Sequence, residues 1–75
     1  MPDVPFLIVL RGYDIAEVDA LISRADAALG SADPATRAAV ARELLGPGLR
    51  IRLRGYDRLQ VDKRLAALAD QLSTR

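Results

Sequence analysis

The stretch Leu10-Arg11-Gly12-Tyr13-Asp14 decides the fold, because it returns 43 residues later as Leu53-Arg54-Gly55-Tyr56-Asp57. Between positions 6 and 29, nine of the twenty-four residues are identical to the residue at that same offset. Repetition at a fixed offset indicates two copies of one supersecondary unit. The 75 residues therefore predict a single domain, with a first copy over residues 4–30, a connecting segment over residues 31–48 and a second copy over residues 49–75.

Each copy opens with a pattern that is typical of a short β-strand. In the first copy, apolar residues occupy both faces of residues 6–10, which predicts a strand covered on both sides. In the second copy, apolar residues alternate with Arg50, Arg52 and Arg54, a period of two that predicts one exposed face. Arg50 and Arg52 suit either the protection of an exposed strand edge or contact with phosphate or lipid, and both readings stay open.

The block that follows each strand predicts a turn and a helix start. A glycine supplies permissive backbone for the turn, and an aspartate two residues later caps the helix. Glu17 and Gln60 stand at the third helical position, where they complete a capping box, and each tyrosine is placed to pack on the valine five residues ahead. The structural motif consists of Gly12, Tyr13, Asp14, Gly55, Tyr56 and Asp57.

Both copies continue into helices with heptad spacing, which is typical of coiled-coil seams. The predicted seam residues are Val18, Ile22, Leu29, Val61, Leu65, Leu68 and Leu72. A further helix is predicted between the copies, beginning at Asp33-Pro34 and ending at Gly46-Pro47-Gly48. The fold class is therefore α+β in the order β-α-α-β-α, and the two helices between the strands return the chain so that the strands run antiparallel.

The size and charge of the chain favour self-association. A two-stranded sheet alone is marginal, and a domain of this size has a small core. Residues 1–46 carry a net charge of −3 and residues 47–75 a net charge of +4, which suits self-association or an anionic partner. We therefore expect the strand–turn–helix units to intertwine as a homodimer or higher oligomer, with the first strand paired to its mate in another subunit.

Several classes of function are excluded by composition. The chain has no cysteine and no histidine, so the usual thiolate nucleophile, general base and metal ligands are missing, and no residue is placed to activate a hydroxyl. We expect no enzyme, no cofactor and no metal site. The longest apolar run, residues 4–10, is too short to span a bilayer and follows no basic leader, so a cytoplasmic location is expected.

The pattern Phe6-x-x-x-Leu10-Arg11-Gly12-Tyr13-Asp14-x-x-Glu17-Val18-Asp19-x-Leu21-Ile22 resembles the N-terminal motif of the DivIVA family, scaffolds of bacterial poles and division septa. The second copy matches it less fully, from Leu53 to Leu65. The resemblance implies a non-enzymatic, coiled-coil-forming interaction module of cell division or polar growth that docks on division or envelope proteins. The long coiled-coil tail with which such scaffolds self-assemble is missing from the chain.

In the DivIVA family, an aromatic residue before the motif arginine enters lipid while the arginine meets phosphates. By position, the resemblance implies that Leu10 with Arg11 and Leu53 with Arg54 contact the inner face of the membrane or a protein partner. The sequence departs from the family here, because leucine stands at both aromatic positions. The alternative is a DNA-binding protein similar to ribbon-helix-helix repressors, with Arg50, Arg52 and Arg54 facing phosphates, although the low net charge makes nucleic acid an improbable partner.

Overall fold

A computed structural model describes residues 6–73 and has the predicted order of elements. The strands and helices follow one another as β1 (Ile8–Tyr13), α1 (Ile15–Leu29), α2 (Pro34–Leu45), β2 (Ile51–Tyr56) and α3 (Arg58–Ser73). The α+β class is thereby confirmed. Residues 1–5, the last two of which belong to the first predicted copy, and residues 74–75 of the second copy lie outside the described residues.

The two strands form one irregular antiparallel pair. Ile8 lies opposite Tyr56 and Tyr13 lies opposite Ile51, so residue numbers rise along β1 as they fall along β2. Beyond the strand ends, the Asp14 amide donates to the Arg50 carbonyl at 2.9 Å and the Asp57 amide to the Leu7 carbonyl at 2.8 Å. One further pairing, between Tyr13 and Tyr56, has the parallel sense. It arises because the two segments cross.

The crossing brings the backbones of Gly12 and Gly55 into contact. A Cβ atom on Gly55 would lie 2.6 Å from the Gly12 carbonyl carbon, and one on Gly12 would lie 2.5 Å from the Gly55 carbonyl oxygen. Neither glycine has a positive φ; the left-handed residue of this segment is Arg11, with φ of 60°. The prediction that these glycines turn the chain is therefore wrong, and they are required because no side chain fits between the crossing backbones.

The helix starts follow the sequence closely. The Asp14 carboxylate accepts from the Glu17 amide at 2.9 Å, the Asp33 carboxylate from the Ala35 amide at 3.1 Å and the Asp57 carboxylate from the Gln60 amide at 3.0 Å. Each aspartate thus satisfies one free amide of the first helical turn. The reciprocal half of each capping box does not form, because the Glu17 and Gln60 side chains reach the other copy instead.

The core lies where the three helices meet, with Val18, Val61 and Leu68 as its largest fully buried side chains. The predicted seam of α3 is confirmed: Val61, Leu65, Leu68 and Leu72 are all buried. The seam of α1 is shifted, since Ile22 and Leu29 are only partly buried and the buried positions besides Val18 are Leu21, Ala25 and Ala28. The shift has a physical cause, because α1 must contact both α2 and α3 and therefore buries a wider face than a two-helix seam.

One expectation about β1 differs from the structure of the chain. Apolar residues on both faces predict a strand covered on both sides, yet Leu7, Ile8 and Leu10 are all exposed within the chain. The crossed strands contact mainly each other and stand beside the helical core rather than across it, which leaves these side chains uncovered. The described backbone partners of β1 belong to β2 of the same chain, and the pairing of β1 with a second subunit stays a prediction.

Candidate functional site

The two copies hold each other through matched pairs of hydrogen bonds. The Tyr13 hydroxyl donates to Asp62 at 2.8 Å, and the Tyr56 hydroxyl donates to Asp19 at 2.9 Å. These bonds are equivalent, because each joins the tyrosine of one copy to the same aspartate of the other. The two copies are therefore related by an approximate two-fold axis that passes through the crossing.

A second reciprocal pair joins the base of each strand to the opposite helix. The Leu7 amide donates to Gln60 Oε1 at 2.8 Å, and the Arg50 amide donates to Glu17 Oε1 at 2.9 Å. Glu17 and Gln60 thus tie the copies together instead of completing capping boxes. The tyrosine hydroxyls likewise join the two copies across the two-fold axis. The sequence predicted only that the tyrosine rings pack on Val18 and Val61.

Burial raises the pKa of both tyrosine phenols, and the neighbouring aspartates raise each pKa further. Asp62 acts in this way on Tyr13, and Asp19 on Tyr56. A neutral phenol that donates to a carboxylate is favoured over a phenolate facing the same charge. Both hydroxyls therefore remain donors at neutral pH.

Two arginines, Arg50 just before β2 and Arg52 within it, are paired with the capping residues of α1. Arg52 Nε lies 2.8 Å from Asp14 Oδ2, and Arg50 Nε lies 3.6 Å from Glu17 Oε2. The Arg52 hydrogen bond is the main reason that the pKa of Asp14 lies below its ordinary value, with the Glu17 amide as the next contribution. Of the two readings of Arg50 and Arg52, the structure favours the structural one, because both cations already face carboxylates.

We define the tip cluster as Leu10, Arg11, Leu53 and Arg54, the two exposed residues that precede each crossing glycine. Leu10 is 75% exposed and Leu53 is 76% exposed, so neither belongs to the core. Leu10 lies opposite Arg54 in the strand pair, which places an apolar side chain of one copy beside a cation of the other. Within residues 6–73, neither Arg11 nor Arg54 has an ion-pair or hydrogen-bond partner.

Further exposed apolar residues lie in the same strands or directly before them. Leu7, Ile8 and Ile51 are 63%, 44% and 42% exposed. Large apolar side chains that gather beside unpaired cations are typical of surfaces that bind another macromolecule or a membrane. Over residues 6–73, no three carboxylates come close enough together to hold a metal ion, and no helix is long and apolar enough to cross a membrane.

The comparisons with known proteins give no match: no family model, curated protein or solved structure is similar to this chain at a significant level.

Proposed function

We propose that the chain is a non-enzymatic, DivIVA-like interaction module that holds two copies of a membrane- and partner-docking loop in one polypeptide. The observation that carries the proposal is the tip cluster, in which two exposed leucines lie beside two arginines that have no ion-pair partner among residues 6–73. Its setting is bacterial cell division or polar growth, at the cytoplasmic face of the membrane, where it docks on other division or envelope proteins. The sequence resemblance described above supports that setting.

The chemistry of the tip cluster fits the surface of an anionic bilayer. Full burial of two leucine side chains contributes about 3–6 kcal/mol, at about 1.5–3 kcal/mol each. A cation near an anionic leaflet adds about 1 kcal/mol, and the cluster brings two of them. Interfacial insertion recovers only part of the apolar term, so one chain binds reversibly and several chains are needed for lasting attachment.

Self-association supplies those further copies in this proposal. The exposed Ile8 of β1 and the exposed Leu7 that precedes it give the chain an apolar surface that a second chain would cover. Sedimentation at tens of micromolar tests this part, with a dimer or larger species as the expected result. A monomeric mass at that concentration would remove self-association from the proposal and leave the docking surface in place.

The DNA-binding alternative has weaker support. It requires Arg50, Arg52 and Arg54 to face phosphates, yet two of these arginines already form ion pairs, Arg52 with Asp14 and Arg50 with Glu17. Breaking both pairs would oppose the binding of DNA, whose affinity comes largely from cations that meet phosphates.

Flotation on phosphatidylglycerol vesicles tests the docking surface. We expect the unmodified protein to float, and both Leu10→Ser with Leu53→Ser and Arg11→Glu with Arg54→Glu to stay at the bottom of the gradient. The matched control is Leu45→Ser, because Leu45 is 72% exposed but lies at the end of α2. This control should float like the unmodified protein, and failure of the unmodified protein to float would leave only protein partners.

A further inference from the structure

The two copies differ beside their tyrosines. In the first copy, Phe6 is buried and its ring packs on Tyr56, with ring centroids 5.0 Å apart and planes tilted by 56°. The equivalent of Phe6 in the second copy is Leu49, which is smaller and only partly buried. Phe6 of the first copy covers Tyr56 of the second, whereas an open groove lined by Leu49 lies beside Tyr13 of the first copy.

This opening, the Tyr13 groove, has a volume of about 410 Å³ and is lined by Tyr13, Leu44, Leu45, Leu49, Asp62 and Leu65, among others. Leu44 and Leu65 are buried and supply an apolar floor, whereas Leu45 is 72% exposed at the rim. The volume falls within the range of about 300–1,000 Å³ that is usual for ligand sites.

Asp62 gives the Tyr13 groove its charge. Its Oδ1 atom accepts from the Tyr13 hydroxyl, and it is the charged member of the groove lining. A ligand that buries an aromatic ring on the floor and brings a cation to Asp62 would match both the shape and the charge of the groove.

We propose that the Tyr13 groove docks an extended peptide segment that carries an aromatic side chain next to a basic residue. The chain itself provides the template, because Phe6 occupies the corresponding place against Tyr56 in the first copy. This site is separate from the tip cluster and does not depend on the function proposed above.

The test is a titration of the full chain with the blocked peptide Val-Pro-Phe-Arg, followed by amide chemical shifts. Saturable shifts are expected at Leu45 and Leu65, with weaker binding by about tenfold or more for the control peptides Val-Pro-Ala-Arg and Val-Pro-Phe-Glu. Leu49→Phe should place a ring of the chain itself against Tyr13 and lower the affinity by about tenfold or more, because it gives the second copy the residue of the first.

Two further variants separate loss of the site from loss of the fold. Leu45→Ala removes only the exposed rim, so the protein should fold normally and bind the peptide more weakly. Leu59→Ala, at a residue that is 64% exposed and outside the groove lining, should bind like the unmodified protein.

Three results would overturn the proposal. The first is an absence of saturable shifts at millimolar peptide, and the second is equal binding of the phenylalanine and alanine peptides. The third is a dimer of the protein alone that Leu45→Ala abolishes, since the groove would then be covered by a second copy of the chain.

Discussion

The two copies of the motif agree at the crossing and differ outside it. Most residues that join the copies, a glycine, a tyrosine and two aspartates in each, are identical in both. One joining position differs conservatively, with a glutamate in the first copy and a glutamine in the second, and both side chains accept an amide hydrogen bond. The surrounding positions differ more: Val9 of the first copy corresponds to Arg52 of the second, and Phe6 corresponds to Leu49. An interface across a two-fold axis places equivalent positions in the same surroundings, whereas a surface that faces solvent or a partner has no such constraint.

The largest loss of stability is expected when a methyl group is added where the two copies cross. Gly12→Ala and Gly55→Ala should each destabilise the protein by about 3 kcal/mol or more, because backbone atoms of the other copy occupy the space that Cβ needs. The two losses should be similar, since the two glycines face each other. Urea unfolding followed by circular dichroism measures both.

Gly46→Ala is the matched control for the glycine substitutions. A Cβ atom at Gly46 would meet nothing within 4 Å, and its φ of −150° is open to any residue. Its stability should lie within about 0.5 kcal/mol of that of the unmodified protein. If Gly12→Ala changed the stability as little as Gly46→Ala, the two backbones would not approach each other closely at the crossing.

Much of this fold can be predicted from local sequence signals. The aspartate caps, the middle helix, the apolar face of α3 and the antiparallel sense of the strands all follow from residue type and spacing. These features depend on neighbours within one element or on the length of a connection.

What the sequence did not reveal depends on how the two copies meet. Apolar strands such as residues 7–10 look buried in isolation, but the crossing places Leu10 in solvent. Glu17 has the spacing of a capping-box residue, yet its side chain accepts a hydrogen bond from the Arg50 amide of the other copy. Only the repeat indicated how the copies meet, because two identical blocks in a chain this small suggest that each block contacts the other.

The tyrosine hydroxyls offer a milder way to separate the copies. Tyr56→Phe should cost about 1–1.5 kcal/mol and Tyr13→Phe about 0.5–1 kcal/mol, as expected for the loss of a hydrogen bond whose acceptor remains partly hydrated. Tyr56 should matter more because it is 7% exposed, whereas Tyr13 is only partly buried. Equal losses, measured by urea unfolding, would contradict this asymmetry.

The same hydroxyls make the stability depend on alkaline pH. Because folding raises the pKa of both phenols, their contribution is complete below the ordinary tyrosine pKa of 10.0 and is lost as the pH rises through the folded values. We expect the unmodified protein to lose stability above about pH 10, and the double Tyr→Phe variant to lose less over the same interval. If the two proteins lost stability in parallel as the pH rose, the pKa of the phenols would be the same in the folded and unfolded states.

The smallest effect is expected at Asp14, the helix-capping aspartate of the first copy, which pairs with Arg52 on the strand of the second copy. The residue equivalent to Arg52 on the strand of the first copy is Val9, which carries no charge. Arg52→Val gives the second strand the residue that the first has at Val9, so the pKa of Asp14 should rise toward its ordinary value of 3.8. Arg50→Leu is the control, because the Arg50 contact with Glu17 Oε1 uses the backbone amide and leaves the Arg52 pair intact.

Carboxyl-carbon chemical shifts of Asp14 followed through an acid titration measure this change. A carboxyl whose pKa is lowered by folding adds stability above its ordinary pKa and loses it as the pH falls through the folded value. The difference in stability between the unmodified protein and Arg52→Val should therefore be present at neutral pH and shrink below about pH 4. If the Asp14 pKa were as low in Arg52→Val as in the unmodified protein, the Glu17 amide alone would set it, and the two copies would be electrostatically equivalent at their helix caps.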